Sequence, residues 1–408
     1  MKKNHPKVGI VGGGLAGIYT AYLLTQHNIT YDIIEAKAIF GGRIYGENTQ
    51  SDDYKIDLGP SWIFPHQQEI QKLVTRLGLQ LVEQYNSGDA LFQRSANQQP
   101  EPFSGVAPPV MYRIFGGTSR LIDLLSENID EQNIRLSTTA NSLQYDGQYW
   151  HIKMQTSKSQ CGLLEKDKST ATPEELTISS AFFEHLVIAV PPRVIAHKLS
   201  FEHHESTTGS STQVPDIFHE KAVIQQAFLQ VLNNKFEQVP TWMAAQAKFA
   251  VTYSRPFWRK SGLSGQAFSH VGPMGEIHDA SFEDDSGNSV FALFGFIGIP
   301  FAHRQQVSIE QMKNACLSQL ASIFGLKANE YQQTYYKDWA SDIFTANSVD
   351  QTQAPMHPHI DLASEQPHLQ QIKLHLATSE FSEREAGYME GAILAATNAV
   401  EEILLTVP

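Results

Sequence analysis

A glycine-rich stretch near the N-terminus places the strongest constraint on the fold of this chain. The apolar run Val8–Val11 is typical of a buried parallel strand, and the pattern Gly12-x-Gly14-x-x-Gly17 follows it directly. From Leu15 onward the apolar residues have helical spacing. Strand, glycine turn and helix in this order are the setting of the dinucleotide fingerprint, in which phosphates bind at the helix N-terminus. The stretch therefore predicts a Rossmann-like, dinucleotide-binding domain.

An acidic residue narrows the choice of nucleotide. Glu35 ends a second apolar run about twenty residues after the glycines, where a carboxylate accepts hydrogen bonds from an adenosine ribose. Because a carboxylate repels a 2′-phosphate, the sequence favours NAD or FAD over NADP. The alternative is a glycine turn in an unrelated α/β protein, which explains the glycines but not the helix and the acid that follow them. No second glycine fingerprint follows, which argues against a reductase with separate flavin and NAD(P)H sites.

Charge and cysteine content exclude several classes of partner. The 408 residues carry a net charge of −13, so nucleic acid and anionic membranes are poor partners. Cys161 and Cys316 belong to no metal-binding spacing and indicate a reducing compartment, and no metal site is expected. No signal peptide and no run of about eighteen apolar residues is visible. We therefore expect a cytoplasmic protein without a membrane span.

The order of elements predicts an α/β fold with an α+β second domain. A Rossmann-like nucleotide domain is expected from residues 1–60, 112–200 and 340–408, and an inserted substrate domain of mixed sheet plus helices from residues 61–111 and 201–339. In the insert, three runs predict strands and one predicts a helix: Val223 to Leu229, Ala247 to Tyr253, Val290 to Phe296, and the helix Ile309 to Phe324. The polar segment 157–177 predicts an exposed hairpin or a disordered insert.

Motifs through most of the chain resemble the flavin-containing monoamine oxidase family. They are Val11 to Gly17, Glu35 to Lys37, Phe40 to Arg43, Asp57 to Trp62, Gly116-Gly117 with Arg120-Leu121, Val187 to Pro192, Pro256 to Arg259, Trp339, and Gly387 to Ala392. The last is the most specific. The resemblance implies an oxidoreductase that binds FAD, oxidises an amine (CH–NH) to an imine and passes the electrons to O₂, giving H₂O₂. The expected partners are a small-molecule amine and O₂, and the oligomeric state stays open.

The resemblance also implies which residues hold FAD. Arg43 is expected against the pyrophosphate and Glu380 at the ribityl chain, while the helix from Gly387 points its N-terminus at the flavin. The alternatives are a surface arginine after a turn, and ordinary packing of Tyr388 and Met389 at a helix start. The expected cofactor-binding set is Gly12, Gly14, Leu15, Ala16, Gly17, Glu35, Ala36, Gly42, Arg43, Gly59, Pro60, Ser61, Ala140, Glu380, Gly387, Tyr388 and Met389.

Three residues are expected to act at the reacting part of the flavin. The resemblance aligns Lys248 with a family lysine that holds a water at the flavin N5 atom. It also assigns Tyr388 and Trp62 to the substrate site, with Phe294 as a further pocket residue. The strand pattern alone leaves the role of Lys248 open, because a solvated lysine fits the same strand face equally well.

Two departures from the family pattern concern the substrate and the flavin linkage. The places of a flavin-tethering cysteine and of a second cage tyrosine fall near Ser348 and Val349, so non-covalent FAD is expected. Phe344, Trp339 or Trp62 are candidates for the second aromatic wall. Two alternatives to an amine oxidase remain. One is a flavin desaturase or porphyrinogen-type oxidase acting on a C–C or ring substrate, and the other is a catalytically silent, flavin-binding accessory protein.

Overall fold

The computed structural model describes residues 7–50, 54–103, 109–157, 176–202, 216–284, 287–354 and 356–406. The strands are β1 (Val8–Val11), β2 (Tyr31–Ile34), β3 (Gly46–Asn48), β4 (Lys55–Asp57), β5 (Leu81–Glu83), β6 (Asp89–Gln93), β7 (Glu101–Phe103), β8 (Tyr112–Ile114), β9 (Ile134–Arg135), β10 (Thr138–Tyr145), β11 (Trp150–Ser157), β12 (Leu176–Phe183), β13 (His185–Ile188), β14 (Ser200–Phe201), β15 (Ala247–Tyr253), β16 (Leu263–Ser269), β17 (Met274–Asp279), β18 (Phe282–Glu283), β19 (Ser289–Ile297), β20 (Tyr331–Asp338) and β21 (Leu374–Leu376). The helices are α1 (Leu15–Gln26), α2 (Gln68–Arg76), α3 (Ser119–Ser126), α4 (Pro192–Lys198), α5 (Asp216–Gln238), α6 (Phe257–Lys260), α7 (Phe301–Arg304), α8 (Ile309–Phe324), α9 (Gln366–Gln371) and α10 (Met389–Leu404). In the part of the chain described here, no helix has both the length and the apolar character that crossing a bilayer requires.

The chain divides into two compact units that are each built from separate segments. The first unit contains Met1–Gly42, Leu124–Trp242 and Met356–Pro408, and the second contains Arg43–Asp123 and Met243–Pro355. The boundaries differ from the predicted ones. Residues 43–60, 112–123 and 340–355 fall in the second unit, where β3 pairs with β4 and β5 pairs with β8. Residues 201–242 fall in the first unit, because α5 packs against α4.

The first unit is organised around a five-stranded parallel sheet in the order β21-β13-β1-β2-β9. Every residue of β1, β2 and β13 is buried, as expected for parallel strands covered on both faces. Helix α1 follows β1 and packs against α10. A second sheet, in the order β12-β11-β10-β14, belongs to the same unit. This arrangement confirms the Rossmann-like domain and places the C-terminal helix beside the first helix.

The predicted strand from Val223 to Leu229 is wrong, because these residues lie within the 23-residue helix α5. Its buried residues Leu229, Leu232 and Phe236 recur at helical spacing in the core of the first unit. That longer pattern outweighs the local run of apolar residues. Residues 158–175, which hold Cys161 and most of the predicted polar insert, lie outside the described residues.

A chain of buried hydrogen bonds fixes the C-terminal part of α10 to the parallel sheet. His185 Nδ1 lies 3.1 Å from His375 Nε2, and His375 Nδ1 lies 2.7 Å from Glu402 Oε2. Burial, with smaller contributions from the charges of His375 and Lys373, lowers the pKa of His185 to about 3. The His185 ring is therefore neutral at physiological pH, so it can stay buried without a counter-charge. The network links the C-terminal part of α10 to β13 and β21 of the sheet.

The second unit is built on a large mixed sheet in the order β20-β15-β19-β17-β16-β6-β7. Helix α8 covers one face, where Cys316 and Leu320 pack in the same core as Phe249. The other face contributes Ala250 and Phe294 to a separate core. Successive residues of β15 point to opposite faces. The predicted strands β15 and β19 and the predicted helix α8 are all confirmed.

Candidate active site

In the glycine turn of the first unit, two glycines lie so close to neighbouring backbone atoms that no other residue fits. Gly12 has φ of +108°, and a Cβ there would lie 2.5 Å from the carbonyl oxygen of Ala189. A Cβ on Gly17 would lie 1.9 Å from the carbonyl oxygen of Gly12. Both positions therefore exclude any side chain, as the fingerprint requires for a tight turn and for close packing of strand and helix.

Gly14 has a different role, because a Cβ there would meet no described atom nearer than the Cα of Gly42, at 3.8 Å. The backbone of Gly41 and Gly42 passes beside this space, and Gly41 N donates to the Gly13 carbonyl at 2.9 Å. Gly14 is also the N-cap of α1, and among the described residues no side chain caps this helix end. The N–H groups of the first turn, with Leu15 and Ala16, are thus available to an anion. The opening fits a pyrophosphate.

Glu35 lies at the end of β2, beside the glycine turn. Its Oε2 accepts a hydrogen bond from Gly13 N at 2.6 Å, and its Oε1 accepts one from Lys37 N at 2.7 Å. Ala36 lies between Glu35 and Lys37 in the sequence. The backbone of β10 begins beside it, where Thr138 N donates to the Glu35 carbonyl at 2.9 Å. Ala140, two residues further along β10, is buried. The structure thus brings Glu35, Ala36 and the strand of Ala140 to one edge of the sheet, as an adenosine site requires.

The C-terminal motif forms a second group of candidate residues in the first unit. Glu380 is buried in a 3₁₀ turn, Ser379–Phe381, where Ser379 Oγ donates to Glu380 Oε2 at 3.0 Å. This turn packs on α10, and Gly387 N donates to the Ser379 carbonyl at 3.3 Å. The hydroxyl of Thr378 is buried and has no hydrogen-bond partner among the described residues. An orphaned hydroxyl beside a buried carboxylate suits a polyhydroxyl chain such as ribityl.

Tyr388 is the N-cap of α10 and has two aromatic neighbours that the sequence did not predict. Trp242 and His357 stack with ring centroids 3.7 Å apart, and their centroids lie 6.2 and 5.4 Å from that of Tyr388. Gly387 has φ of +90°, and a Cβ there would lie 2.7 Å from the Trp242 Cβ, so glycine permits this approach. Met389, the first residue of α10, is buried. No sequence signal links His357 to this group, whereas Trp242 lies in the stretch that precedes Lys248.

Lys248 is the central charged residue of the second unit, and its side chain is buried, with 2% of the residue exposed. Its Nζ donates to Ser61 Oγ at 2.6 Å and to the Gly59 carbonyl at 3.1 Å. The ammonium also lies over the Phe294 ring, 4.0 Å from its centroid. A solvated lysine, which the strand pattern allowed, is therefore excluded. The structure brings Lys248 together with the motif that contains Gly59, Pro60 and Ser61.

The buried charges around Lys248 set its proton affinity. Burial lowers its pKa to about 7, Asp57 opposes this shift and Arg113 adds to it. Asp57 Oδ1 accepts from Thr118 N at 2.7 Å, and burial raises the pKa of its carboxyl although both cations act to lower it. Arg113 donates to the carbonyls of Ala280 and Ser281. An amine with a pKa near 7 can hold or release a proton under physiological conditions.

Trp62 belongs to a group of rings that we call the aromatic cluster: Trp62, His278, Phe294 and Phe296. Trp62 is half-buried and its Nε1 donates to Gln84 Oε1 at 2.9 Å. Its ring centroid lies 4.7 Å from that of His278, 5.6 Å from that of Phe294 and 5.9 Å from that of Phe296. Sequence reasoning singled out Trp62 and Phe294 and missed His278, which lies in no motif. Lys248 and the aromatic cluster thus form one site in the second unit.

The second unit also contains the candidate residues Arg43, Gly59 and Trp339. A Cβ on Gly59 would lie 2.1 Å from the Arg43 carbonyl oxygen, so these two motifs are in close backbone contact. Trp339 is buried, and its Nε1 donates to the Leu58 carbonyl at 2.8 Å. Phe344 is half-buried, and Ser348 is exposed. Within the described ranges, no group of three or more His, Cys, Asp or Glu side chains is arranged to hold a metal ion.

Two models of known protein families match this chain. A family model described as flavin containing amine oxidoreductase matches residues 109–404, and a model of NAD(P)-binding Rossmann-like domains matches residues 10–77. The chain belongs to the flavin-containing amine oxidoreductase family. It is therefore an oxidoreductase, and FAD is its cofactor.

Individual family members and solved structures are similar to this chain over nearly its whole length. A probable flavin-containing monoamine oxidase A from Dictyostelium discoideum is 23% identical over 452 residues, covering 97% of each chain. The structure of cyclohexylamine oxidase from Brevibacterium oxydans matches with a TM-score of 0.69 and 17% identity, covering 98% of this chain and 100% of the other. Putrescine oxidase bound to putrescine matches with a TM-score of 0.69 and 16% identity, covering 98% and 99%. At these identities the structural matches establish the fold.

Proposed function

We propose that this flavoenzyme oxidises a small amine to the corresponding imine, with O₂ as electron acceptor and H₂O₂ as the second product. The observation that carries the proposal is the buried Lys248, held by Ser61 and Gly59 beside the aromatic cluster. FAD, when bound, supplies the two-electron chemistry. The substrate loses one hydrogen with its electron pair from the carbon that bears nitrogen, and one proton from nitrogen. Two electrons and two protons then convert O₂ to H₂O₂.

Lys248 is the residue to which we assign proton and water handling. An ammonium has three N–H donors, and Ser61 Oγ and the Gly59 carbonyl take two of them. The third donor is suited to holding a water molecule at the reacting centre. A pKa of about 7 lets Lys248 deliver a proton and recover it within one turnover at neutral pH.

The aromatic side chains support an amine as the substrate. Trp62 and Phe294 give the site around Lys248 apolar walls, which exclude water and favour a neutral amine over an ammonium ion. In the first unit, Trp242 and His357 supply aromatic surface beside Tyr388 without the second cage tyrosine. The names of the structural neighbours, cyclohexylamine oxidase and putrescine oxidase, agree with an amine as the substrate class.

The N-termini of two helices are proposed to hold the charged parts of FAD. The uncapped end of α1, at Gly14, would bind the pyrophosphate. The N-terminus of α10, at Tyr388, likewise has no side-chain cap within the described residues. Its N–H groups and dipole favour negative charge, which would assist reduction of the cofactor.

The FAD is predicted to be released when the purified protein is precipitated with acid. The prediction rests on the lack of a cysteine near Ser348, where the family pattern places a residue that tethers the flavin through a thioether. The supernatant after acid precipitation should contain the flavin absorbance, and mass spectrometry of the pellet should give the mass of the unmodified chain. Flavin that stays with the pellet would show a covalent bond elsewhere and contradict the prediction.

An anaerobic bleaching screen tests the proposed function. Purified holoenzyme is mixed without oxygen with amines and, separately, with carotenoid-like and porphyrinogen-like compounds, and the flavin absorbance is followed. We expect bleaching by at least one amine, and peroxide when air is admitted. Because the second cage tyrosine is missing near Val349, a C–C or ring oxidase is the second candidate. Bleaching by its substrates alone would support that candidate, and bleaching by neither class would support an accessory protein.

A further inference from the structure

His278 is a buried histidine on β17 that belongs to the aromatic cluster but has no role in the proposed chemistry. Only 2% of the residue is exposed. Its ring centroid lies 4.7 Å from that of Trp62 and 5.4 Å from that of Phe294. The ammonium of Lys248 lies over the same Phe294 ring. An imidazole among aromatic rings at a candidate substrate site is a polar group in otherwise apolar surroundings.

Only one of the two ring nitrogens of His278 has a partner. Nε2 lies 2.6 Å from Glu276 Oε1, whereas Nδ1 is buried and makes no hydrogen bond within the described part of the chain. When the neutral ring donates Nε2–H to the carboxylate, the lone pair of Nδ1 becomes a hydrogen-bond acceptor. Buried polar atoms are rarely left unpaired, because the loss of hydration is costly. A bound molecule with a donor group would satisfy this atom once the rings around it shift to admit the donor, because the atom itself is buried.

We propose that His278 Nδ1 accepts a hydrogen bond from the substrate, and that the preferred amine carries a second N–H or O–H donor away from the oxidised carbon. This inference rests on the proposed function, because it takes Lys248 and the aromatic cluster as the substrate site. Glu276 acts as the positioning residue that fixes the tautomer. The substrate is then a hydroxylated amine or a diamine in which an apolar segment separates the two polar groups.

The expected consequence is discrimination between two amines that differ by a single donor. An amine that lacks the donor leaves Nδ1 desolvated and unpaired, so the site penalises it. Sites that hydrogen-bond a substrate group reject analogues lacking that group far more strongly than apolar pockets reject a missing methylene. We expect at least about tenfold tighter binding of the donor-bearing amine, well below the upper range known for such sites.

The test measures dissociation constants of matched pairs with oxidised holoenzyme under anaerobic conditions, by calorimetry. The pairs are 2-phenylethylamine with tyramine, benzylamine with 4-hydroxybenzylamine, and hexylamine with 6-aminohexan-1-ol. In at least one pair the hydroxylated member should bind at least tenfold more tightly. His278→Phe should reduce that ratio to about one. His278→Asn, whose side chain keeps a polar atom near the place of Nδ1, should retain most of it.

A control and a second variant keep the result interpretable. His270→Asn replaces an exposed histidine of the same unit and should leave the ratio unchanged. If His278→Phe does not fold, Glu276→Ala removes the carboxylate that orients Nε2–H and should lower the ratio. Equal binding within every pair, no binding of any member, or an unchanged ratio in His278→Phe would overturn the inference. Because binding is measured without turnover, a retained preference with no bleaching by any amine would overturn the proposed function alone.

Discussion

Replacing Lys248 by methionine is expected to slow the oxidation of the reduced enzyme by O₂ about 100-fold while FAD stays bound. Lys248 is the buried ammonium held by Ser61 Oγ and the Gly59 carbonyl, and methionine has similar length without a charge or a donor. Stopped-flow mixing of dithionite-reduced enzyme with oxygenated buffer measures this step without any substrate. Lys260→Met, which changes an exposed lysine of the same unit, serves as the control and should reoxidise at the wild-type rate.

The pH dependence of the same step should identify the ionising group. Because burial lowers the pKa of Lys248 from its ordinary value of 10.5 to about 7, the side chain is an ammonium below pH 7 and a neutral amine above it. The wild-type rate is therefore expected to fall as the pH rises through about 7, and Lys248→Met should lack this inflection. Wild-type rates in the variant, or an inflection that persists, would show that Lys248 has only a packing role.

Stability measurements separate this effect from misfolding. The folded-state pKa of Lys248 lies below the unfolded value, so the folded protein binds fewer protons and the residue lowers stability at and below neutral pH. This penalty disappears only as the pH rises toward the unfolded pKa. Methionine removes the buried charge, at the cost of leaving Ser61 Oγ and the Gly59 carbonyl without this donor. We therefore expect the melting temperature of Lys248→Met not to fall at pH 7.

Gly14→Ala is expected to weaken FAD binding about 10- to 100-fold without unfolding the apoprotein. The new methyl group would meet no described atom nearer than 3.8 Å, so the fold accepts it. It would project into the space beside Gly42 that we assign to the pyrophosphate. Titration of apoprotein with FAD, followed by quenching of flavin fluorescence, gives the dissociation constant, and calorimetry gives the melting temperature of the apoprotein.

Variants of two other glycines serve as controls for Gly14→Ala. Gly275→Ala adds a methyl group that meets nothing within 4 Å among the described residues, and it should change neither FAD binding nor stability. Gly17→Ala would place its Cβ 1.9 Å from the Gly12 carbonyl oxygen, so we expect loss of the folded domain itself. FAD binding of wild-type strength in Gly14→Ala would show that the phosphates do not approach at this turn.

Local sequence patterns predicted correctly those strands, helices and turns whose signal lies in consecutive residues. The glycine turn with β1 and α1, the buried strand β15 and the helix α8 are all found where the sequence predicts them. Their signals are periodicity and required glycines, which a few consecutive residues carry. The predicted strand at Val223 failed for a related reason, because a seven-residue run cannot show the longer helical repeat of α5.

The sequence by itself determined the nucleotide-binding turn, the Rossmann-like fold and the family, because each depends on residue types at fixed short spacings. Only the tertiary structure decided that Lys248 is buried, that Trp242 and His357 stack beside Tyr388, and that His278 has an unpaired nitrogen among aromatic rings. Each of these facts joins residues that are far apart in the sequence. Burial and hydrogen bonding are set by the neighbours that folding brings together, and a strand pattern alone gives a solvated lysine and a buried one the same signal.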